Sequence, residues 1–177
     1  MRDWSEEGKT ERDALFPPIL EALKGEFPST DDKRVLVPGC GLGRLAYEIA
    51  TQGTSSSAIS LRLSLTYSLQ PGFETIGNDF SHFMHLGTSL IFSRTFTKEQ
   101  HQLSPYIHSF SHQRSSEDLL RTVSFPDVLP GKDVKLKFEQ GDFLSAYKER
   151  ESFDAIVTLF FIDTVSTRFF SPFLKTS

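Results

Sequence analysis

R-V-L-V-P-G-C-G-L-G-R-L-A-Y-E-I-A, residues 34–50, is the stretch whose reading decides the fold. Val35-Leu36-Val37 is a short aliphatic run of the kind that forms a buried parallel strand. Gly39, Gly41 and Gly43 follow at once, and Leu45, Ala46, Ile49 and Ala50 then recur at helical spacing. Strand, glycine turn and helix together open a nucleotide-binding α/β domain. The turn needs glycine because its backbone angles forbid a Cβ, and because a bulky cofactor can then lie against the main chain at the helix N-terminus. Gly39 and Gly41 fit the dinucleotide pattern G-x-G-x-x-G, but its third position is Arg44, with Gly43 one place early. G-x-G-x-G is the form found in S-adenosylmethionine-dependent methyltransferases, where the loop wraps the amino-acid end of the cofactor and no pyrophosphate is present. A glycine-rich turn with no ligand is the alternative.

The rest of the chain sets bounds on that unit. At 177 residues it has the length of one domain or part of one. Its 17 Phe supply enough apolar mass for a core, and at a net charge of −4 it has no basic run dense enough for a nucleic-acid surface. No apolar run is long enough to span a membrane. Cys40, the single cysteine, cannot form an internal disulfide, which favours a reducing compartment. The acidic start M-R-D-W-S-E-E-G-K is unlike a signal or transit peptide. These features predict a soluble intracellular protein, cytoplasmic and admissible in the nucleus.

Before the glycine turn, residues 1–28 read as helical, with Leu15, Ile19, Leu20, Leu23 and Phe27 as the apolar face. Pro17-Pro18 predicts a break and the start of a second helical segment. After the turn, Glu74–Asp79 reads as a second strand ending in a carboxylate, the place from which such folds bind ribose hydroxyls. Asp79 lies 36 residues beyond Gly43, against about 20 in the usual unit, and excising Thr54–Gly72 restores a spacing of 17. Residues 54–72 are serine- and leucine-rich and are expected to be a low-complexity insertion, although the alternation over Ser60–Leu65 equally allows a strand.

Ser81–Phe96 predicts a helix capped by Ser81. Gln102–Val128 is a long aromatic segment of the kind that lines sites. Its His108 and His112 are four apart, but no third ligand stands at a telling spacing, so no metal is expected. Val134–Phe138 reads as a third strand and Phe153–Leu159 as a fourth. Asp142 after the third strand suits either an adenine contact beside Phe143 or a cap on the next helix. Asp163 is a carboxylate just past the fourth strand, where α/β folds place their chemistry.

The sequence motifs R-D-W-S-E-E-G-K-T-E-R-D-A (2–14), V-L-V-P-G-C-G-L-G-R-L-A-Y-E-I-A (35–50), G-N-D-F-S-H-F-M (77–84), Y-I-H-S-F-S (106–111), F-P-D-V (125–128), G-D-F (141–143) and F-F-I-D-T (160–164) occur in that order. In them the chain resembles the N2227-like family, whose characterised members are carnosine N-methyltransferases. The resemblance implies a Rossmann-like class I methyltransferase sandwich, with S-adenosylmethionine as cofactor and methyl transfer to the imidazole of carnosine, giving anserine. The acceptor is then a small molecule, carnosine or another histidyl peptide. A histidine within a protein is an alternative acceptor, and a homodimer is admissible. By motif position Arg2 would hold the cofactor's carboxylate, Gly39 and Gly41 its methionine end, Asp79 its ribose, and Asp142 with Phe143 its adenine. Asp163 would face the substrate imidazole as catalytic and substrate-binding residue. The family carries Glu where this chain has Asp79.

The domain organisation expected is an N-terminal helical segment at 1–30, a partial methyltransferase domain at 31–164 interrupted by 54–72, and an atypical tail at 165–177. The family sheet has seven strands and continues past F-F-I-D-T. The insertion and the tail are therefore expected to be retained non-coding sequence, in a chain holding the first four strands, binding cofactor weakly and turning over poorly. A non-catalytic binding fragment is the alternative from another class.

Overall fold

The computed structural model describes residues 2–52, 72–109, 111, 114–149 and 151–161. A parallel four-stranded sheet lies at its centre. It contains β1 (Arg34–Pro38), β2 (Glu74–Asp79), β5 (Leu136–Gln140) and β6 (Ala155–Ile156), in the order β5-β2-β1-β6. Val35 stands opposite Thr75 on one side and Ala155 on the other, while Asp79 stands opposite Gln140. The chain moves outward from β1 to β2 to β5 and then crosses back to the far side of β1. The strand order therefore reverses at β1, and ligand crevices of open α/β sheets form outside the carboxyl ends at such a point.

β1 is buried on both faces because its side chains alternate between two apolar layers. Val35 and Val37 join Leu45, Ala46 and Ile49 of α2 (Arg44–Ala50), with Phe16 and Leu23 of α1 (Lys9–Glu26). Leu36 joins Ile76 and Phe153 on the other face. α1 is continuous through Pro17-Pro18, which corrects the predicted break. Phe16 before the prolines and Leu23 after them are buried in the same layer, and the fixed proline φ is itself helical. Burial along one face thus holds the helix across the missing hydrogen bonds.

The other elements follow their local chemistry. Ser81 caps α3 (His82–Ser93), its hydroxyl accepting from Met84 N at 3.4 Å, as its N-cap position predicts. The third sheet strand begins at Leu136 rather than Val134, and β6 is shorter than Phe153–Leu159. The β6 ladder is nonetheless extended by Asp154 N to Arg34 O and Val157 N to Leu36 O. The chain leaves the sheet at Phe160, where φ is 56°. The long aromatic segment is organised by β3 (His101–Leu103) pairing antiparallel with β4 (Val123–Phe125), with a short α4 (Ser116–Leu120) between them. α5 (Phe143–Ala146) follows β5.

Residues 54–71 of the expected insertion, and the whole tail 165–177, lie outside the described residues. The described ends flanking 53–71 meet: a Cβ built on Gly72 would lie 1.9 Å from the Ala50 carbonyl oxygen and 2.8 Å from that of Gln52. A chain in which 53–71 is replaced by a link of two or three glycines is therefore expected to keep its melting temperature within a few degrees, because closing so short a gap strains nothing. Loss of cooperative melting in that chain would show that the segment belongs to the core.

Candidate functional site

The carboxyl ends of β1, β2 and β5 open into a cleft of about 500 Å³, within the range of small-molecule sites. Gly39 supplies its wall from β1, and Asn78, Asp79 and Phe80 from β2. Gly141, Asp142, Phe143 and Leu144 come from the end of β5, and Phe161 from beyond β6. A smaller recess on the other side of Gly39 is lined by Arg2, Asp3, Pro38, Cys40 and Leu159. Gly39 belongs to both, so the two recesses adjoin at the glycine turn and together make up the groove.

The turn itself is held by side chains and neighbouring backbone. Gly39, Gly41 and Gly43 take φ of 64°, 59° and 81°, left-handed values that favour glycine. Cys40 N donates to Asn78 O at 3.0 Å. Gly41 N donates to an Asp79 carboxylate oxygen at 2.9 Å, and Leu42 N to an Asp3 carboxylate oxygen at 3.2 Å. Gly43 N closes back on Cys40 O at 2.9 Å. Four successive N–H groups therefore have acceptors within the protein, two of them carboxylates. In a dinucleotide site the N–H groups of this turn face a pyrophosphate. Here two negative charges stand in that place, which disfavours a phosphate and suits a cationic group.

Asp79 also accepts from Ser81 N at 2.8 Å through its other oxygen. Its carboxylate thus ties the glycine turn to the start of α3 and lines the cleft. Asp142 is the N-cap of α5, its oxygens accepting from Leu144 N at 3.1 Å and Ser145 Oγ at 2.8 Å. The capping reading of Asp142 is the one its hydrogen bonds satisfy, and its residue still lines the cleft. Phe143 is buried and packs edge-to-face on Phe161 at 5.6 Å between ring centroids. Arg2 lies at the far end of the groove. Its guanidinium stacks over Phe160 at 5.1 Å, and its Nε meets Asp3 at 3.3 Å.

Burial, with the nearby charges of Asp79 and Asp3 adding to it, pushes the Cys40 thiol up to about 12. The shift favours the thiol over the nucleophilic thiolate. Cys40 is a small, half-buried residue of the turn. Among the described residues no group of three or more His, Cys, Asp or Glu side chains could hold a metal ion. His108 is exposed, and His112 lies outside the described residues. Among those residues, no helix is long and apolar enough to cross a membrane.

Six sequence-predicted residues, Arg2, Gly39, Gly41, Asp79, Asp142 and Phe143, therefore line or build the two recesses that adjoin at Gly39. Asp163 lies outside the described residues. Asp3, Asn78, Leu144 and Phe161 join the groove without having been singled out. Asp3 stands beside Arg2 in the N-terminal motif, Asn78 beside Asp79 and Leu144 beside Phe143, so adjacency was the available signal for these three.

Comparison with known proteins gives a consistent result. A family model described as Carnosine N-methyltransferase matches residues 1–170. The Carnosine N-methyltransferase of Mus musculus is 39% identical over 171 residues, covering 93% of this chain and 38% of the mouse protein. That of Schizosaccharomyces pombe is 37% identical over 174 residues, covering 92% of this chain and 42% of its own length. That of Dictyostelium discoideum is 36% identical over 176 residues, covering 93% and 34%. The chain thus spans between about a third and two fifths of the length of these relatives.

Proposed function

Since the chain belongs to the carnosine N-methyltransferase family, we propose that it carries the cofactor groove of an S-adenosylmethionine-dependent N-methyltransferase whose acceptor is the imidazole of carnosine or a related histidyl peptide. The observation that carries this reading is the pairing of Gly41 N with Asp79 and of Leu42 N with Asp3. A groove whose turn is lined by carboxylates favours a ligand bearing a sulfonium and an ammonium over one bearing a pyrophosphate. A Cβ on Gly39 would strike the Phe161 ring at 2.2 Å, so the turn and the cleft wall meet this closely only because residue 39 has no side chain.

Bound S-adenosylmethionine supplies an electrophilic methyl group on a positively charged sulfur. In this proposal Arg2 binds its carboxylate as a fork-shaped donor, and the carboxylates of Asp3 and Asp79 balance its positive charges. Asp79 accepts from the ribose hydroxyls. The Phe143 ring and the backbone of Asp142–Leu144 bound the adenine end. Asp163 accepts a hydrogen bond from one imidazole nitrogen of the acceptor, which fixes the tautomer and leaves the other nitrogen's lone pair free to attack. With no covalent intermediate on the protein, the acceleration comes from holding two reactants in line. The expected product from carnosine is anserine.

Calorimetry with S-adenosylmethionine and with NAD tests the cofactor. Micromolar binding of the first and none of the second is expected, and tighter binding of NAD would overturn the reading. A methyl-transfer assay on carnosine tests the acceptor. Asp163→Ala is expected to lower turnover at least 100-fold with cofactor affinity unchanged, because its carboxylate acts on the acceptor.

A further inference from the structure

We propose that Asp127 is a positioning residue for the cofactor, acting through two buried arginines that hold the backbone of Arg2–Ser5 against the glycine turn. The proposal rests on the cofactor reading above, and it assigns a function to the F-P-D-V motif, which no part of the site has so far used.

Asp127 lies 6% exposed between Arg12 of α1 and Arg44 of α2, themselves 4% and 7% exposed. One carboxylate oxygen meets Arg12 Nη2, and the other accepts from Arg44 Nη1 at 2.8 Å. Arg44 Nε also binds Glu48 at 2.7 Å, so two cations face two carboxylates. Burial acts to lower the Arg44 pKa, but Glu48 and Asp127 outweigh it and the net shift is upward. Burial, with the charge of Arg44, lowers that of Arg12, against the attraction of Asp127 and Asp3. Arginine remains cationic in either case.

The cluster also donates four hydrogen bonds to the backbone of the N-terminal segment. Arg12 Nη1 donates to the carbonyls of Arg2 and, at 2.8 Å, Ser5. Arg44 Nη1 donates to Asp3 O at 3.2 Å, and Asp127 N donates to Trp4 O at 2.9 Å. Four consecutive carbonyls are therefore each held by one of three residues distant in sequence. Trp4 completes the seat: its ring lies under the Arg44 guanidinium at 4.8 Å, and its Nε1 donates to Leu42 O at 2.9 Å. Held in this way, the segment turns its two adjacent charged side chains to the groove. The Asp3 carboxylate reaches Leu42 N, and Arg2 lines the recess beside Gly39. Asp127 itself does not line that recess or the cleft. It neutralises the two arginines that hydrogen-bond the backbone carbonyls of Arg2, Asp3 and Ser5, and leaving those buried cations unpaired would be costly.

A purely structural role and a positioning role predict different ligand profiles. Arg2 and Asp3 address the amino-acid end of S-adenosylmethionine, which 5′-methylthioadenosine lacks. In Asp127→Asn, affinity for S-adenosylmethionine is expected to fall at least tenfold, while that for methylthioadenosine stays within about twofold. Trp4 is the only tryptophan in the chain, so its emission reports the segment directly, and a red shift is expected in the unliganded variant. Asp127→Glu keeps the charge and should recover part of the lost affinity. Should Asp127→Asn fail to fold by circular dichroism, Arg12→Lys keeps the cation, cannot reach both strap carbonyls and Asp127, and should give the same profile. Equal weakening of both ligands, or of neither, overturns the proposal. If the wild-type chain binds neither ligand, the methyl-donor reading fails first. Trp4 emission then decides the clamp alone, and an unshifted maximum in the variant overturns it.

Discussion

Gly39→Ala is expected to weaken S-adenosylmethionine binding about 100-fold while leaving the fold in place. Gly39 has φ of 64°, where an L-residue costs roughly 1–2 kcal/mol. Its new Cβ would meet the Phe161 ring at 2.2 Å. Displacing a packed ring costs about 1–3 kcal/mol, and Phe161, which packs on Phe143, is a wall of the cleft. The cost therefore falls on the shape of the cleft that the ligand must fill. The resulting penalty of about 2.7 kcal/mol corresponds to 100-fold in affinity.

Gly43→Ala should behave differently, because its Cβ, at φ of 81°, meets the Phe138 ring at 2.4 Å. That ring packs on Phe92 at 4.8 Å and against the apolar core rather than lining the cleft, so the cost falls on stability and the melting midpoint drops. Gly25→Ala is the control. It stands near the end of α1 with nothing within 4 Å of a built Cβ, and a small gain from helix propensity is expected. Unchanged affinity in Gly39→Ala would mean that the cofactor does not lie against this turn.

The glycine contrast also shows how much was legible before any coordinates. Strand, turn and helix could be read from residues 34–50 because the signals are local: an aliphatic run, three glycines and helical spacing. The ends of β2 and α3 were equally local, with Asp79 ending the strand and Ser81 capping the helix. Pro17-Pro18 misled because a local breaker was outweighed by burial of Phe16 and Leu23, a tertiary effect. β6 was predicted too long because apolar composition indicates burial but not pairing.

The candidate site divides along the same line. Residues that shape backbone, such as Gly39 and Gly41, announce themselves by type. Residues that act through distant partners do not: Arg12 and Asp127 are 115 positions apart, and each alone reads as an ordinary surface charge. Arg44 is the instructive case. In the sequence it is the residue that spoils the third glycine position of a dinucleotide motif. In the fold its guanidinium turns away from the ligand side, into the cluster that holds the N-terminal segment. The departure from the dinucleotide pattern and the presence of that segment on the turn are thus two consequences of one residue.

Asp79→Ala is expected to lower S-adenosylmethionine affinity about 100-fold, and unlike Gly39→Ala it should also cost stability. Its carboxylate accepts from Gly41 N at 2.9 Å and Ser81 N at 2.8 Å. Hydrogen bonds to a charged group contribute about 1.5–3 kcal/mol each. Asp79 is only partly buried, so water can replace some of the loss, and about 2 kcal/mol is the expected destabilisation. Binding suffers twice over, through the lost negative charge beside a cationic ligand and through a turn no longer fixed in shape. Asp79→Asn separates these effects. One amide oxygen can serve only one of the two N–H groups while the charge is gone, so affinity should fall nearly as far as in Asp79→Ala with a smaller loss of stability. Phosphate ligands provide a test of opposite sign. Freeing Gly41 N and removing the carboxylate makes the turn more like a phosphate cradle, so inorganic pyrophosphate should bind either variant more tightly than the wild type. Titration calorimetry of both ligands on all three proteins reads the result. Parallel changes for the two ligands would count against charge selection at Asp79, since only a turn that discriminates by charge moves them in opposite directions.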